Sequence, residues 1–583
     1  MIEPNPGTLA RRGFGPRAEA GALFLACAVF LALASLRALD QTYPYFDDVA
    51  YLDLGNRIRA LGGPLKLWGE LFAGRFTEAN RHPLYLALLS CFARPEPAFH
   101  RHAQALSVAL GLVALLSCWW VARRHAGRGA AAVLALFLAA NGTFIGVAGR
   151  ETCEPLLVAI WAQAVGAILD GARSPRGLAW WKAGFWAGLA FLTKGTGLFF
   201  PAVVGLTLLL DVGLRAVVDR RAWAFGIAYV VTSSPLWWRN WKVYGSPIYN
   251  TNSRYVWIDR LSDFAEVFAP QAQERLPRGA LEYFSQLTPR ALLDRLGMGL
   301  AETTFHFADV MALASPRPGA PLHVFWVVVG LFTALAALRW LWRSERGVAR
   351  TFHLVHAGWT YAFLVLFNAN GGSARYFLPL AATTLAPAVA ASLVSGARPG
   401  SARARSRWPW RAAIAWTASV VGALALDPGP MRPPPGFLEV QDWLARNLRP
   451  GDVYAVDART HLQPRWLVLG ARQIIVSASW REKPVPAQEL IDHLRRERVR
   501  FVVLDGGAVA DCASPGDPMG RRYLFYDRLP LEADGSLSLG PLPEGMQAVY
   551  VDPGRPRRWM VLETSWAAGK PPLLAAPMQS AGP

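Results

Sequence analysis

Apolar residues fall along this chain in runs of about 15–22, separated by short polar loops. A helix needs roughly 20 such residues to cross a bilayer, fewer where it is buried among others. The runs predict membrane spans near 19–39, 101–121, 129–148, 152–170, 180–194, 197–214, 222–238, 321–341, 352–368, 376–396 and 412–426, eleven in all. Two shorter patterns interrupt them. Tyr51, Leu54, Ile58 and Leu61 recur at helical spacing, with Asp53, Arg57 and Arg59 on other faces, and Gly62-Gly63-Pro64 follows. That predicts an amphipathic helix over 49–61 lying on the membrane surface. Pro83 to Phe92 is apolar but too short to span, so it dips into the interface.

After Asp427 the pattern changes. Pro428-Gly-Pro and Pro433-Pro-Pro-Gly436 predict a stiff linker over 428–436. Beyond it, Asp452–Val456 and Arg500–Leu504 read as buried strands and Gln488–Arg498 as a helix between them. The fold class is therefore an α-helical polytopic membrane protein with a small C-terminal α/β domain. The predicted domains are an N-terminal segment 1–18, a membrane domain 19–427, the linker, an α/β domain 437–565 and a disordered tail 566–583. Within the membrane domain lie a first outer loop, 40–100, and a large one, 239–320.

Composition agrees. The chain is 53% hydrophobic and 17% charged, against about 25% charged in soluble domains. A net charge of +19 would suggest nucleic acid in a soluble protein. Here the basic residues lie in short loops, with no basic patch interleaved with aromatics, so no nucleic-acid partner is expected. The five cysteines form no CxxC and no regular set, which argues against a disulfide framework or a zinc site.

The basic loops also orient the chain. Arg11, Arg12 and Arg17 precede the first span, and the loops after even-numbered spans carry Arg123, Arg124 and Arg128; Arg173, Arg176 and Lys182; Arg215, Arg220 and Arg221; Arg339, Arg343, Arg346 and Arg350; and Arg398 to Arg411. The positive-inside rule makes that side cytoplasmic. The expected location is a multi-pass position in a bacterial inner membrane, with the N-terminus cytoplasmic and the C-terminal domain extracytoplasmic.

The unusual polar residues then collect on the outer face. Asp47 and Asp48 follow the first span. Asp48 also suits the cap of the next helix. Arg150, Glu151 and Glu154 open the fourth span; Arg150 and Glu154 are one turn apart and suit a mutual pair, or else orient a substrate. Lys194 stands beside two glycines and reads as a snorkelling lysine or a phosphate contact. Arg239 and Asn240 sit in a tryptophan-rich run, and Arg375 follows a glycine pair. With Arg81, four cations approach one face, the residue types that bind a phosphate leaving group. Glu302, His306 and Asp309 share a helix face but lack a fourth ligand. The sequence calls for no cofactor; a divalent metal is possible and unsupported. Asn141-Gly-Thr matches a glycosylation pattern but lies inside a span.

This order of motifs resembles the GT-C superfamily of polytopic glycosyltransferases, in the dolichyl-phosphate-mannose protein mannosyltransferase and aminoarabinose transferase branch. Phe46-Asp47-Asp48-Val-Ala-Tyr51 stands where that family has an Asp-Glu pair, with Asp48 in the Glu position. Arg81-His-Pro-Leu84 stands for a Lys-Pro-Pro-Leu-like segment. Gly188-Leu-Ala-Phe-Leu-Thr-Lys194-Gly195, Trp237-Trp-Arg-Asn240 and Arg375-Tyr-x-x-Pro379 are also similar. The resemblance covers about 15–396 and implies an inverting glycosyltransferase. On that reading Asp47 and Asp48 are the expected catalytic pair, with Asp47 as base. Arg81, Lys194, Arg239 and Arg375 are expected to hold the donor phosphate, and Tyr51, Arg150, Glu154 and Asn240 to orient substrate. The implied partners are a polyprenyl-phosphate sugar donor, an acceptor lipid, glycan or protein, and the membrane. A transporter or flippase would instead show charges deep inside spans and an internal repeat. A non-catalytic scaffold would need neither the carboxylate pair nor the outer cations.

Overall fold

The computed structural model describes residues 15–41, 44, 47–94, 98–173, 177–250, 256–257, 280–311, 321–367, 373–395, 436–449, 451–457, 472–476, 487–505, 537, 542, 544–554 and 558–567. The first part of the chain is helical. In chain order the helices are α1 (Pro16–Asp40), α2 (Asp47–Ala60), α3 (Pro64–Ala73), α4 (Pro83–Ser90), α5 (Ala98–His125), α6 (Arg128–Ala139), α7 (Gly142–Ala148), α8 (Glu154–Arg173), α9 (Gly177–Thr193), α10 (Phe199–Val212), α11 (Arg220–Tyr244), α12 (Ala280–Gln286), α13 (Pro289–Met311), α14 (Pro321–Ser344) and α15 (Gly347–Phe367). The last, α16, runs Leu378–Leu380, through a π turn at Ala381–Leu385, into Ala386–Ser395.

Among the described residues, five helical stretches are long and apolar enough to cross a membrane: Pro16–Asp40, Phe99–His125, Glu154–Arg173, Gly195–Val218 and Val327–Ser344. The run expected as one span at 129–148 is instead two helices, α6 and α7, bent by 63°. The cause is Asn141. Its side chain accepts from Phe144 N at 2.9 Å, capping α7, and donates to Val310 O at 2.9 Å. Asn141 is buried, so the Asn-Gly-Thr pattern marks a break in a helix and not a glycosylation site. The spans expected near 180–194, 222–238 and 352–368 are the helices α9, α11 and α15, and 376–396 is α16 with its π turn. The predicted span 412–426 and the linker 428–435 lie outside the described residues.

The helices enclose two apolar cores. One joins α1, α6, α7, α13, α14 and α16, the other joins α2, α3, α4, α9, α10 and α11, and α5, α8 and α15 contribute to both. Small residues bring α9 and α11 together: a Cβ on Gly184 would stand 2.1 Å from Phe225 O. That backbone contact is what a membrane bundle gains from glycine in place of a side chain. The helix α2 is packed between elements rather than laid flat on a surface; Val49, Leu52, Leu54 and Ile58 are buried and α4 covers one side.

The C-terminal part comprises α17 (Phe437–Asn447), β1 (Val453–Asp457), β2 (Arg472–Val476), α18 (Ala487–Arg496), β3 (Phe501–Asp505), β4 (Met546–Val551) and β5 (Trp559–Thr564). The sheet order is β2-β1-β3-β5-β4, with β1 parallel to β2 and β3, and β5 antiparallel to β3 and β4. Apolar residues cover both faces, under α17 on one side and α18 on the other. Of the tail expected from 566, Trp566 and Ala567 complete a short 3-10 turn; 568–583 lie outside the described residues.

Candidate active site

The two cores meet at one end of the bundle, around the N-terminus of α2. Asp47 and Asp48 occupy the first turn of that helix, where the exposed backbone N–H groups favour negative charge. They face different surroundings. Asp47 keeps 38% of its side chain exposed, whereas Asp48 is fully buried.

Each oxygen of Asp47 meets an arginine. Arg81 Nη2 donates to Oδ1 at 2.9 Å and Arg375 Nη2 to Oδ2 at 3.1 Å. These arginines come from segments 34 and 328 residues away in sequence. Arg375 also lies 3.7 Å from Glu154, which accepts from Lys194 Nζ at 2.6 Å. The result is a chain of alternating charge, Arg81–Asp47–Arg375–Glu154–Lys194. Aromatic rings hold its cations: Arg81 sits 5.4 Å from the Tyr51 ring, and Lys194 and Arg375 sit 5.0 and 5.5 Å from Tyr376. Burial raises the Asp47 carboxyl, but Arg375 and then Arg81 outweigh it and leave it below the usual carboxylate range. Among the described residues, the Nε–H groups of Arg81 and Arg375 are buried donors with no hydrogen-bond partner.

Asp48 belongs to a second group. Its Oδ2 accepts from Gln41 Nε2 at 2.7 Å and from Arg150 at 3.0 and 3.2 Å. Full burial pushes its carboxyl up, to about 7, against the pull of Arg150. Beside it, buried Glu151 pairs with His100, whose Nε2 bonds Gln41 O at 3.1 Å. Asp48 is thus a buried anchor between the end of α1, the start of α5 and the turn before α8.

Several expectations change. Asp48 lies inside the first turn of α2, so it spends its oxygens on Arg150 and Gln41 and does not act as the residue preceding the helix. Arg150 and Glu154 do not pair with one another: Arg150 takes Asp48 and Glu154 takes Lys194. Lys194 does not snorkel to solvent: its ammonium pairs with buried Glu154 at 2.6 Å. Arg239 is buried away from Asp47. It donates to Phe76 O at 2.9 Å, to Glu78 O and to Asn240 Oδ1 at 2.8 Å. Asn240 holds Pro247 O and Tyr249 O, both at 3.0 Å. Both residues direct these donors to the backbone carbonyls of neighbouring loops. Tyr51 is 9% exposed and donates to Cys153 Sγ at 3.1 Å, with Arg81 over its ring.

The structure adds residues the sequence reading passed over. Glu78 accepts from Asn80 N at 2.7 Å and Arg81 N at 2.9 Å, closing the turn that aims Arg81. His82 Nδ1 donates to Phe191 O and its Nε2 accepts from Asn250 at 2.9 Å. Burial depresses the His82 imidazole to about 4, so the ring stays neutral. With Arg239, these contacts pin the segment 76–82 to α9 and α11. The spacing Glu78-x-Asn80-Arg81 was a visible turn signal; the partners of His82 were not. Among the described residues no group of three or more His, Cys, Asp or Glu side chains is placed to hold a metal ion. His306 Nε2 is 3.5 Å from Glu302 on α13. In the α/β domain Asp505 pairs with Arg558 at 3.0 Å, a strand-end contact; His461 lies outside the described residues.

Residues 100–238, under half of the chain, match the model of the dolichyl-phosphate-mannose-protein mannosyltransferase family. No curated protein matches the chain by sequence. Among solved structures, the apo oligosaccharyltransferase of Archaeoglobus fulgidus superposes with a TM-score of 0.55 at 14% identity, over 85% of this chain and 70% of that one. The same enzyme, AglB, in complex with an inhibitory peptide and a dolichol-phosphate gives 0.53 at 13% identity, over 90% and 75%. ArnT from Cupriavidus metallidurans bound to undecaprenyl phosphate gives 0.49 at 15% identity, over 94% and 99%. The chain thus shares its fold with the archaeal oligosaccharyltransferase, a bundle of apolar helices, here with a small sheet-containing domain near the C-terminus, and its residues 100–238 match the mannosyltransferase family model.

Proposed function

We propose that the protein is an integral-membrane inverting glycosyltransferase. It takes a sugar from a polyprenyl-phosphate donor and passes it to an acceptor hydroxyl on the extracytoplasmic side. The observation that carries this reading is the Asp47 carboxylate, part-exposed and bracketed by Arg81 and Arg375. The enzymes AglB and ArnT, solved with dolichol-phosphate and undecaprenyl phosphate respectively, support the class of carrier. The basic loops support the orientation, with the N-terminus cytoplasmic and the Asp47 end outside.

The chemistry follows from the charges. Asp47 takes the proton of the acceptor hydroxyl. The acceptor oxygen forms a bond to the anomeric carbon as the bond from that carbon to the phosphate oxygen breaks, and polyprenyl phosphate leaves. Displacement from the far face inverts the anomeric configuration. General-base help of this kind supplies about 10²–10⁴-fold. Arg81 and Arg375 meet the charge that grows on the departing phosphate, and such preplaced cations stabilise it most where water is excluded. Glu154 and Lys194 stand behind Arg375 and fix its position. Asp48 with Arg150 holds the start of α2. No step of this scheme is assigned to a metal or cofactor.

The test is to supply the purified full-length protein with a panel of labelled polyprenyl-phosphate sugars in bilayer discs, with lipid, glycan and peptide acceptors. The reading expects one donor to be consumed, polyprenyl phosphate to be released and the product to have inverted configuration. Failure to bind or consume any donor, or retention of configuration, would contradict it.

A further inference from the structure

Asp47 is the base in the reading above, yet in this structure it is held by the two groups that reading gives to the phosphate. Arg81 covers Oδ1 and Arg375 covers Oδ2. A carboxylate so paired is a weaker base than a free one, because each cation favours its charged form. Both guanidiniums also hold an unspent Nε–H that is buried. That of Arg375 faces Glu154 Oε1 at 3.7 Å.

Each arginine has support besides Asp47. Arg375 lies beside Glu154, its Nε 3.7 Å from Oε1, so Asp47 is one of two carboxylates that compensate its charge. Arg81 stays on the Tyr51 ring, and Tyr51 is itself fixed through Cys153. The backbone of Arg81 does not move, because Glu78 caps its N–H. Neither cation therefore depends on Asp47 alone for its position.

We propose that Asp47 and the phosphate of the lipid donor compete for Arg81 and Arg375, so that donor binding releases the base and the acceptor hydroxyl engages it only afterwards. This rests on the glycosyltransferase reading and adds to it an order of binding. It also explains how a carboxylate beside two arginines becomes basic enough to take a hydroxyl proton: the donor carries the neutralising charge away from it.

The competition has an outcome that a purely catalytic role for Asp47 lacks. Removing its charge frees both arginines, so Asp47→Asn binds undecaprenyl phosphate about tenfold more tightly than the parent, an estimate of about 1.4 kcal/mol. Binding of uncharged undecaprenol is unchanged, and Arg375→Gln placed on Asp47→Asn abolishes most of the gain. The affinities are read on the full-length protein in bilayer discs, and unchanged thermal midpoints confirm the folded state. A second readout avoids variants altogether. With donor varied at acceptor well below its KM, the acid limb of kcat/KM reports Asp47 in donor-free protein and that of kcat reports it in the donor complex. The proposal expects the kcat limb at the higher pH. Equal or weaker phosphate binding by Asp47→Asn, or coincident acid limbs, overturns the competition while leaving the glycosyltransferase reading intact. Parent protein that binds no polyprenyl phosphate at all overturns both.

Discussion

Glu154→Gln removes the charge that joins Lys194 to the rest of the ion chain, and its cost can be worked from the contacts. Lys194 Nζ lies 2.6 Å from Glu154 Oε1, with the two side chains 22% and 3% exposed. At an effective dielectric of about 20 the attraction at that distance is about 6 kcal/mol. Desolvation takes back most of it, and breaking a buried pair by removing one partner costs about 3–5 kcal/mol. The Tyr376 ring, 5.0 Å from the ammonium, retains about 1 kcal/mol of that. The expected loss for Glu154→Gln is therefore about 2–4 kcal/mol. Lys194→Met leaves the opposite charge stranded and costs a similar amount. The double variant removes both charges and costs far less than the sum. Reversible denaturant unfolding in detergent micelles, read across the cycle, should give a coupling of about 2 kcal/mol. Single losses that add to within about 0.5 kcal/mol would refute the ion chain as a structural unit.

Further outcomes follow from the same contacts. Gly184→Ala drives a methyl group into Phe225 O at 2.1 Å and should lower stability by about 1–3 kcal/mol or more. Gly205→Ala on α10, where a methyl meets open space, should be neutral or stabilising by up to about 1 kcal/mol; equal thermal midpoints for the two variants would contradict the close packing of α9 on α11. Asp48 has a folded carboxyl raised above its unfolded value, so its contribution to stability is fully present below about pH 4 and is lost as pH rises to about 7. The difference in unfolding free energy between the parent and Asp48→Asn should therefore shift in favour of the variant from pH 4 to 7, and a difference independent of pH would refute that assignment. Arg239→Ala frees the backbone of Phe76 and Glu78, so it should weaken donor use through a displaced Arg81, while Arg239→Lys restores part of it; equal defects in both would make Arg239 a direct ligand after all.

The membrane class was legible because the apolar runs exceed what any soluble core needs, and the basic loops alternate with them. The break inside 129–148 was not legible as a break. Every residue there is apolar except Asn141 and Thr143, and it is the bond from Asn141 to Val310, 169 residues on, that gives the kink a partner. Asp47, Arg81, Glu154, Lys194 and Arg375 were identified individually because the alternation of basic loops puts them all on one outer face, at or next to the ends of apolar runs. Their pairing was beyond reach. Local spacing favoured Arg150 with Glu154, but the fold offers each a longer-range partner with better geometry. The contacts of Arg239 were out of reach for a related reason: in sequence an arginine beside a tryptophan belt looks like a ligand, and the carbonyls of Phe76 and Glu78 that take its donors lie 163 and 161 residues away. In the α/β domain, two of five strands were visible as apolar runs. The strands β2, β4 and β5 mix polar and apolar positions and depend on neighbours the sequence does not name.

The central claim is that Asp47 takes the acceptor proton. Its most direct measurement is a single turnover of pre-bound labelled donor, comparing the parent, Asp47→Asn and Asp492→Asn, a surface change on α18 of the same charge. The account predicts that Asp47→Asn retains bound donor and slows transfer by about 10²–10⁴-fold, while Asp492→Asn turns over at the parent rate. Transfer by Asp47→Asn at the parent rate, with donor equally bound, would contradict it.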